Sequence, residues 1–267
     1  MPVINTNMSA TLTANALTKN ERAMSQSMER LSTGLRINSA ADDAAGLAIA
    51  SKMTSQINGL NQAVRNGNDA ISMVQTADGA LVEVTNMLQR MRELTVQAAN
   101  GTNSTTDVTN LDVEYTALGN AIDAIVTNTE WNGGNILDGT AAAAVFTIGA
   151  NAENVTVAFG DGDAAGGALA LATVAIATGT LTTIDNAIAA VNSQRATFGA
   201  AINRLEYTVD NLTNASQNQS ASRSRIQDAD YASETTELAR TQIIQQAGTA
   251  MLSQANQQAQ SVLALLK

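Results

Sequence analysis

Apolar side chains recur at alternating intervals of three and four residues along most of this chain, the spacing of a helix face that packs against a partner. The longest such seam runs Met53, Ile57, Leu60, Val64, Gly67, Ile71, Val74, Ala77, Leu81, Val84, Leu88, Met91 and Leu94. It predicts a helix of about 50 residues, a rod on the order of 75 Å long. Asp78-Gly79 lies inside the repeat, which continues on both sides, so the pair reads as helix interior rather than as a turn. A polar stretch, Asn100-Gly101-Thr102-Asn103, should stop the rod with glycine in the left-handed region. Asp107 then serves as an expected N-cap for a return helix through Val108, Leu111, Tyr115, Leu118, Ile122 and Ile125.

A further seam, Ile184, Ile188, Val191, Arg195, Phe198, Ile202, Leu205, Val209 and Leu212, is interrupted only by Arg195, which is expected to snorkel or pair with a carboxylate. The last stretch places Ile244, Gly248, Met251, Ala255, Ala259, Val262 and Leu266 on one face and holds no acidic residue from Leu238 onward. With so little charge it cannot pattern a solvated face, and it needs a partner. The first stretch offers one through Met8, Leu12, Met24, Met28, Leu31 and Leu35. Between the helices, Val145 to Ile148 and Val155 to Phe159 alternate as two short strands of a hairpin. Asp161-Gly162-Asp163 and Gly166-Gly167 read as surface loop.

The expected class is therefore mainly α: an elongated antiparallel helical bundle with both termini paired at one end and a small β-hairpin region at the other. Residues 1–40 with 226–267 form the expected terminal coiled-coil domain. Residues 41–225 form a rod domain, with the hairpin insert at about 141–180.

Composition narrows the chemistry. Only 3% of residues are aromatic, so the terminal seams must close through aliphatic side chains. A net charge of −10 argues against nucleic acid, whose phosphates call for clustered Lys and Arg. No stretch reaches the roughly 18 to 20 apolar residues of a membrane span, and the first ten residues have no signal-peptide pattern. His and Cys are both absent, which removes the commonest general base, metal ligand and strong nucleophile and points away from an enzyme. No cofactor or metal site is expected. Asp42-Asp43 precedes a helix start and reads as capping, while Asp161 and Asp163 lack the further oxygens of a calcium loop.

The run from Ser25 to Ile49, including Leu31-Ser32-Thr33-Gly34-Leu35-Arg36-Ile37-Asn38-Ser39-Ala40-Ala41-Asp42-Asp43-Ala44-Ala45-Gly46-Leu47, resembles the amino-terminal signature of bacterial flagellins. Ser222 to Ala232, Gln242 to Gly248 and Gln254-Ala255-Asn256-Gln257 resemble the matching carboxy-terminal signature. The resemblance implies a short, two-domain filament subunit without outer domains, exported by the flagellar type III route and polymerised outside the cell for motility. Its implied partners are further copies of itself, an export chaperone, the filament cap and the hook-associated junction proteins. The implied polymerisation seam includes Leu12, Met28, Leu31, Leu35, Ile244, Met251, Val262, Leu263 and Leu266. Leu88 to Gln97 is similar to the segment bound by Toll-like receptor 5, with Gln89, Arg90 and Leu94 on it and Glu114 on the return helix as implied contacts. Competing readings are a hook-filament junction protein and a secreted adhesin. Ala259 replaces a proline frequent in the family, so the last helix should run unbroken to Leu266.

Overall fold

A computed structural model describes residues 7–139, 143–149, 153–159 and 180–264, the side chains of 180 and 258–264 excepted. In order along the sequence the elements are α1 (Met8–Thr33), α2 (Ala44–Ala98), α3 (Thr105–Asn128), β1 (Glu130–Trp131), β2 (Gly134–Asn135), β3 (Ala144–Thr147), β4 (Asn154–Val157), α4 (Thr180–Gln227) and α5 (Tyr231–Ala264). The protein is mainly helical, as its periodicity predicts. Two compact units emerge: Met1–Ser55 with Asn218–Lys267, and Gln56–Gln217.

In the second unit, α2 is the spine. It is a 55-residue helix that passes through Asp78-Gly79 without interruption. Val74, Ala77, Leu81, Val84, Leu88, Met91 and Leu94 are all buried along it. Tyr115, Ile122 and Val126 from α3 and Ile184, Val191 and Phe198 from α4 close the same core. The α2–α4 pairing is antiparallel: Ser216 Oγ donates to Asn61 Oδ1 at 2.8 Å, and Arg195 Nε to Asp78 Oδ1 at 2.9 Å. Arg195 thus pairs with a carboxylate, one of the two outcomes its place in an apolar seam allows. Both side chains are 34% exposed, so solvent screening leaves the pair with about 1 kcal/mol or less. The helices come close at Gly67, where an added Cβ would lie 2.5 Å from Val209 Cγ2.

Two expected helix boundaries change. The end of α2 does not use a left-handed Gly101; its carbonyls are met instead by the Asn100 N–H and the Asn103 side chain, both donating to Gln97 O. The N-cap of α3 is Ser104 rather than Asp107. Ser104 Oγ accepts from the Asp107 N–H while Asp107 accepts from the Ser104 N–H, a reciprocal capping box. The aspartate fits this role because it sits three residues into the helix. Ser104→Ala should therefore destabilise this unit by about 1 kcal/mol, read as a lower urea midpoint at unchanged slope.

β1 and β2 form a two-residue hairpin that the strand patterns do not predict. Asn132 and Gly133 occupy its loop with φ of 51° and 78°, the left-handed pair that such a turn demands. The dipeptide itself is the available signal. β3 and β4 pair antiparallel, with Val145 opposite Thr156 and Phe146 opposite Val155, as the alternation predicts. Asp161, Asp163 and the glycines that follow lie outside the described residues.

In the first unit, α1 ends at Gly34, whose φ of 72° is left-handed and whose N–H donates to Arg30 O. The next residues pair with the α4–α5 junction: Arg36 N–H donates to Gln227 O at 2.7 Å and Ala229 N–H to Gly34 O at 2.9 Å. Asp43 accepts from the Gly46 N–H at 2.9 Å and caps α2. Asp42 organises the turn before it, accepting from the Ser39 N–H and hydroxyl and the Asn38 N–H. Hydrogen bonds from Ser39, chiefly its N–H, hold the Asp42 carboxyl below the usual carboxylate range. A depressed folded-state pKa means that this stabilisation is present above the ordinary carboxylate value and is lost as pH falls through the lowered one. The Ser39 amide resonance should accordingly shift in acid with a midpoint below that of an ordinary aspartate, and Asp42→Asn should abolish that step.

Candidate functional site

The terminal helices α1 and α5 pack along each other, and their buried positions define the true seam. On α1 the side chains turned inward are Ala10, Thr13, Leu17, Asn20, Met24, Ser27 and Leu31, a regular heptad pattern. On α5 they are Leu238, Thr241, Gln245, Gly248, Leu252 and Ala255. Asn7 Nδ2 donates to Ala255 O, Asn20 Nδ2 to Thr241 O at 2.8 Å, and Arg30 Nη1 to Glu234 Oε1 at 3.0 Å, so the pair is antiparallel.

This seam is only partly the one that apolar periodicity suggests. Gly248, Ala255, Met24 and Leu31 belong to it, and Leu35 is half-buried beyond its end. Met8, Leu12 and Met28 on α1, and Ile244 and Met251 on α5, point outward instead, with Leu12 74% and Met251 63% exposed. The intramolecular seam lies one residue further along α5, at Gln245 and Leu252. The physical reason is polar matching: Asn20, nearly buried, donates to both Thr241 O and Gln245 Oε1, and Thr241 is fully buried. A buried Asn that must find its partners fixes register and orientation. The side chains of Val262 and Leu263, and Leu266 altogether, lie outside the described residues.

Leu17 seats directly over Gly248, where an added Cβ would fall 2.7 Å from Leu17 Cδ1. Gly248→Ala should be almost neutral, because the end of the leucine can swing away and alanine gains about 1 kcal/mol of helix propensity. Gly248→Val should cost about 1–3 kcal/mol of overpacking, measurable as faster amide exchange in α1.

The second unit carries the other residues singled out in the sequence. Arg90 Nε donates to Glu114 Oε1 at 2.9 Å and its Nη1 to Glu93 Oε2 at 3.0 Å, tying α2 to α3 on an exposed ridge. Arg92 of α2 reaches Asp185 of α4 at 2.7 Å. Gln89 is exposed, whereas Leu94 is fully buried in the core. Arg90 and Glu114 therefore share a surface, Gln89 is exposed beside Arg90 in the sequence, and Leu94 lies in the core. Val96 and Val113 add exposed apolar area to these two helices. Among the described residues no group of three or more metal-ligating side chains converges, and no helix is long and apolar enough to cross a membrane.

Residues 4–142 match the model of the bacterial flagellin N-terminal helical region, and residues 181–266 match that of the bacterial flagellin C-terminal helical region. The protein is 45% identical to a flagellin of Bacillus subtilis, over 99% of each sequence. It is 47% identical to a flagellin of Halalkalibacterium halodurans over 91% of each. A flagellar filament 33 kDa core protein of Treponema phagedenis is 43% identical over 99% of this sequence and 100% of that one. With both helical regions matched and such relatives aligned over nearly their whole lengths, this chain belongs to the bacterial flagellins: it is a non-enzymatic structural subunit of the extracellular flagellar filament, of the short type.

Proposed function

We propose that the α1·α5 pair is the polymerisation element, with residues 1–40 and 226–267 as the filament-core domain and 41–225 as the rod domain. The observation that carries this is the division of each terminal helix into two faces. One face closes the intramolecular seam, and the other leaves Leu12, Met28, Ile243, Ile244 and Met251 in water. Between Ile243 and Met251 the outward positions Ala247 and Ala250 are also small and apolar, so this side of α5 carries no charge. Fully burying an exposed side chain of this kind contributes about 1.5–3 kcal/mol; these keep 39% to 74% exposure, a part of that gain still to be had, which favours a neighbouring subunit as their cover. Leu31 and Leu35 act inside the subunit, while Val262, Leu263 and Leu266 extend the polymerisation seam by sequence. Seeding purified subunits with filament fragments tests the reading; subunits that stay monomeric while keeping their fold would refute it.

The same uncharged side of α5 suits an export chaperone before assembly, and the filament cap and hook-associated junction proteins during it. For the exposed ridge, the reading is host recognition: Arg90, Gln89 and Glu114 present the surface that Toll-like receptor 5 takes, with Leu94 holding α2 in place behind them. The support is that Arg90 and Glu114 are already joined at 2.9 Å and exposed together. Receptor signalling by Arg90→Ala and Glu114→Ala subunits, compared with the parent, checks it.

A further inference from the structure

Asparagine followed by glycine occurs four times in this protein, at Asn58-Gly59, Asn66-Gly67, Asn100-Gly101 and Asn132-Gly133. In an unfolded polypeptide all four have the same reactivity. The glycine amide nitrogen attacks the asparagine Cγ, a C–N bond forms, the Cγ–Nδ2 bond breaks and ammonia leaves. Water then opens the resulting succinimide at either carbonyl, to aspartate or to isoaspartate. Glycine favours the attack because it has no Cβ to obstruct the approach.

The fold separates the four. Asn58-Gly59 and Asn66-Gly67 lie inside α2, where each glycine N–H belongs to the helical hydrogen-bond ladder and the helical backbone holds it away from the asparagine Cγ. Asn66 is restrained further, since its Nδ2 donates to Thr147 O at 2.9 Å and its Oδ1 accepts from Gln62. Asn100-Gly101 and Asn132-Gly133 lie outside the helices, and both asparagines are exposed. Apart from its chain neighbours, neither glycine has an atom within 4 Å of where a Cβ would stand, so no other part of the fold crowds these two loops. We propose that Asn100 and Asn132 are sites of spontaneous deamidation in the folded subunit, and that Asn58 and Asn66 are protected.

The consequence is greatest at Asn132. Isoaspartate inserts one extra carbon into the backbone of a two-residue turn whose register sets Glu130 opposite Asn135 and Trp131 opposite Gly134. The half-buried Trp131 packs on the main core and precedes the reactive residue. It is also the single tryptophan of the protein, so its fluorescence reports on this turn alone. Each event also adds one negative charge to a subunit whose net charge is −10.

The test is prolonged incubation of purified subunits in mildly alkaline buffer, followed by peptide mass mapping, isoaspartate detection and tryptophan fluorescence. A parallel sample is kept in concentrated urea. In urea all four asparagines should convert at similar rates. In the native protein only Asn100 and Asn132 should gain the mass of the amide-to-acid change, and Trp131 emission should shift in step with Asn132. Conversion of Asn58 or Asn66 at the rate of the loop sites, or no native conversion at Asn132, would overturn the proposal. Conversion at Asn132 without a fluorescence change would overturn the predicted effect on the turn.

Discussion

Ile244→Asp combined with Met251→Asp should leave the free subunit folded and its filaments absent. Ile244 is 39% exposed and Met251 63% exposed, and neither lies in the α1·α5 seam, so the carboxylates meet water in the isolated subunit. Circular dichroism of the monomer should be unchanged. In a filament that covers this face, each carboxylate would be desolvated with few cations within reach, because from Tyr231 onward only Arg240 and Lys267 are basic. Such burial costs several kcal/mol per ion, and every subunit added to the filament would incur it again. Seeded polymerisation followed by sedimentation and electron microscopy gives the answer. Long filaments from the double variant would show that this face stays solvated after assembly.

Phe198→Ala should have the largest effect on the second unit, at about 3–5 kcal/mol. The ring is fully buried, and its centroid lies 5.4 Å from that of Phe159 in a tilted arrangement. Removing it leaves a cavity where α4 meets the core, and it strips Phe159 of its aromatic neighbour. A core with few rings has little else of that volume to collapse into the space. Urea unfolding should show a midpoint lowered accordingly. Phe198→Leu should recover most of the loss, because it conserves more of the volume.

The two variants act through different parts of the protein, which explains why their readouts differ. One changes a surface whose value is realised only between subunits. The other changes a packing site that the isolated subunit already uses.

Much of this division is legible along the sequence. The α2 and α4 repeats can be read because a long helix with a buried face carries a clear period: Val74 through Leu94 are buried as spaced, while nearer the start of α2 Ala63 and Ala70 are buried and the neighbouring Val64 and Ile71 only half-buried. The β3–β4 hairpin follows from simple alternation, and the Arg195 ion pair is one of the two outcomes expected of a cation in an apolar seam. The cap of α3 falls at Ser104, three residues before the expected Asp107, because aspartate is acceptable at the cap and at the third position alike; only geometry distinguishes them. The β1–β2 turn escapes a search for strands although Asn132-Gly133 announces it, since strands of two residues leave no alternation to find.

The terminal helices mark the limit most clearly. Their sequence determined that both would be helical and that the stretch from Leu238 onward, which holds no acidic residue, would need a partner to cover it. It did not determine which face meets which partner. The largest apolar residues, Leu12, Ile244 and Met251, suggest a single seam, yet the fold gives the intramolecular contact to Leu17, Asn20, Thr241, Gln245, Gly248 and Leu252. Hydrophobic periodicity counts apolar side chains without saying who covers them. Hydrogen-bond pairing between Asn20 and Gln245 and the fit of Leu17 over Gly248 are long-range matters, settled only when residues more than 200 positions apart come together.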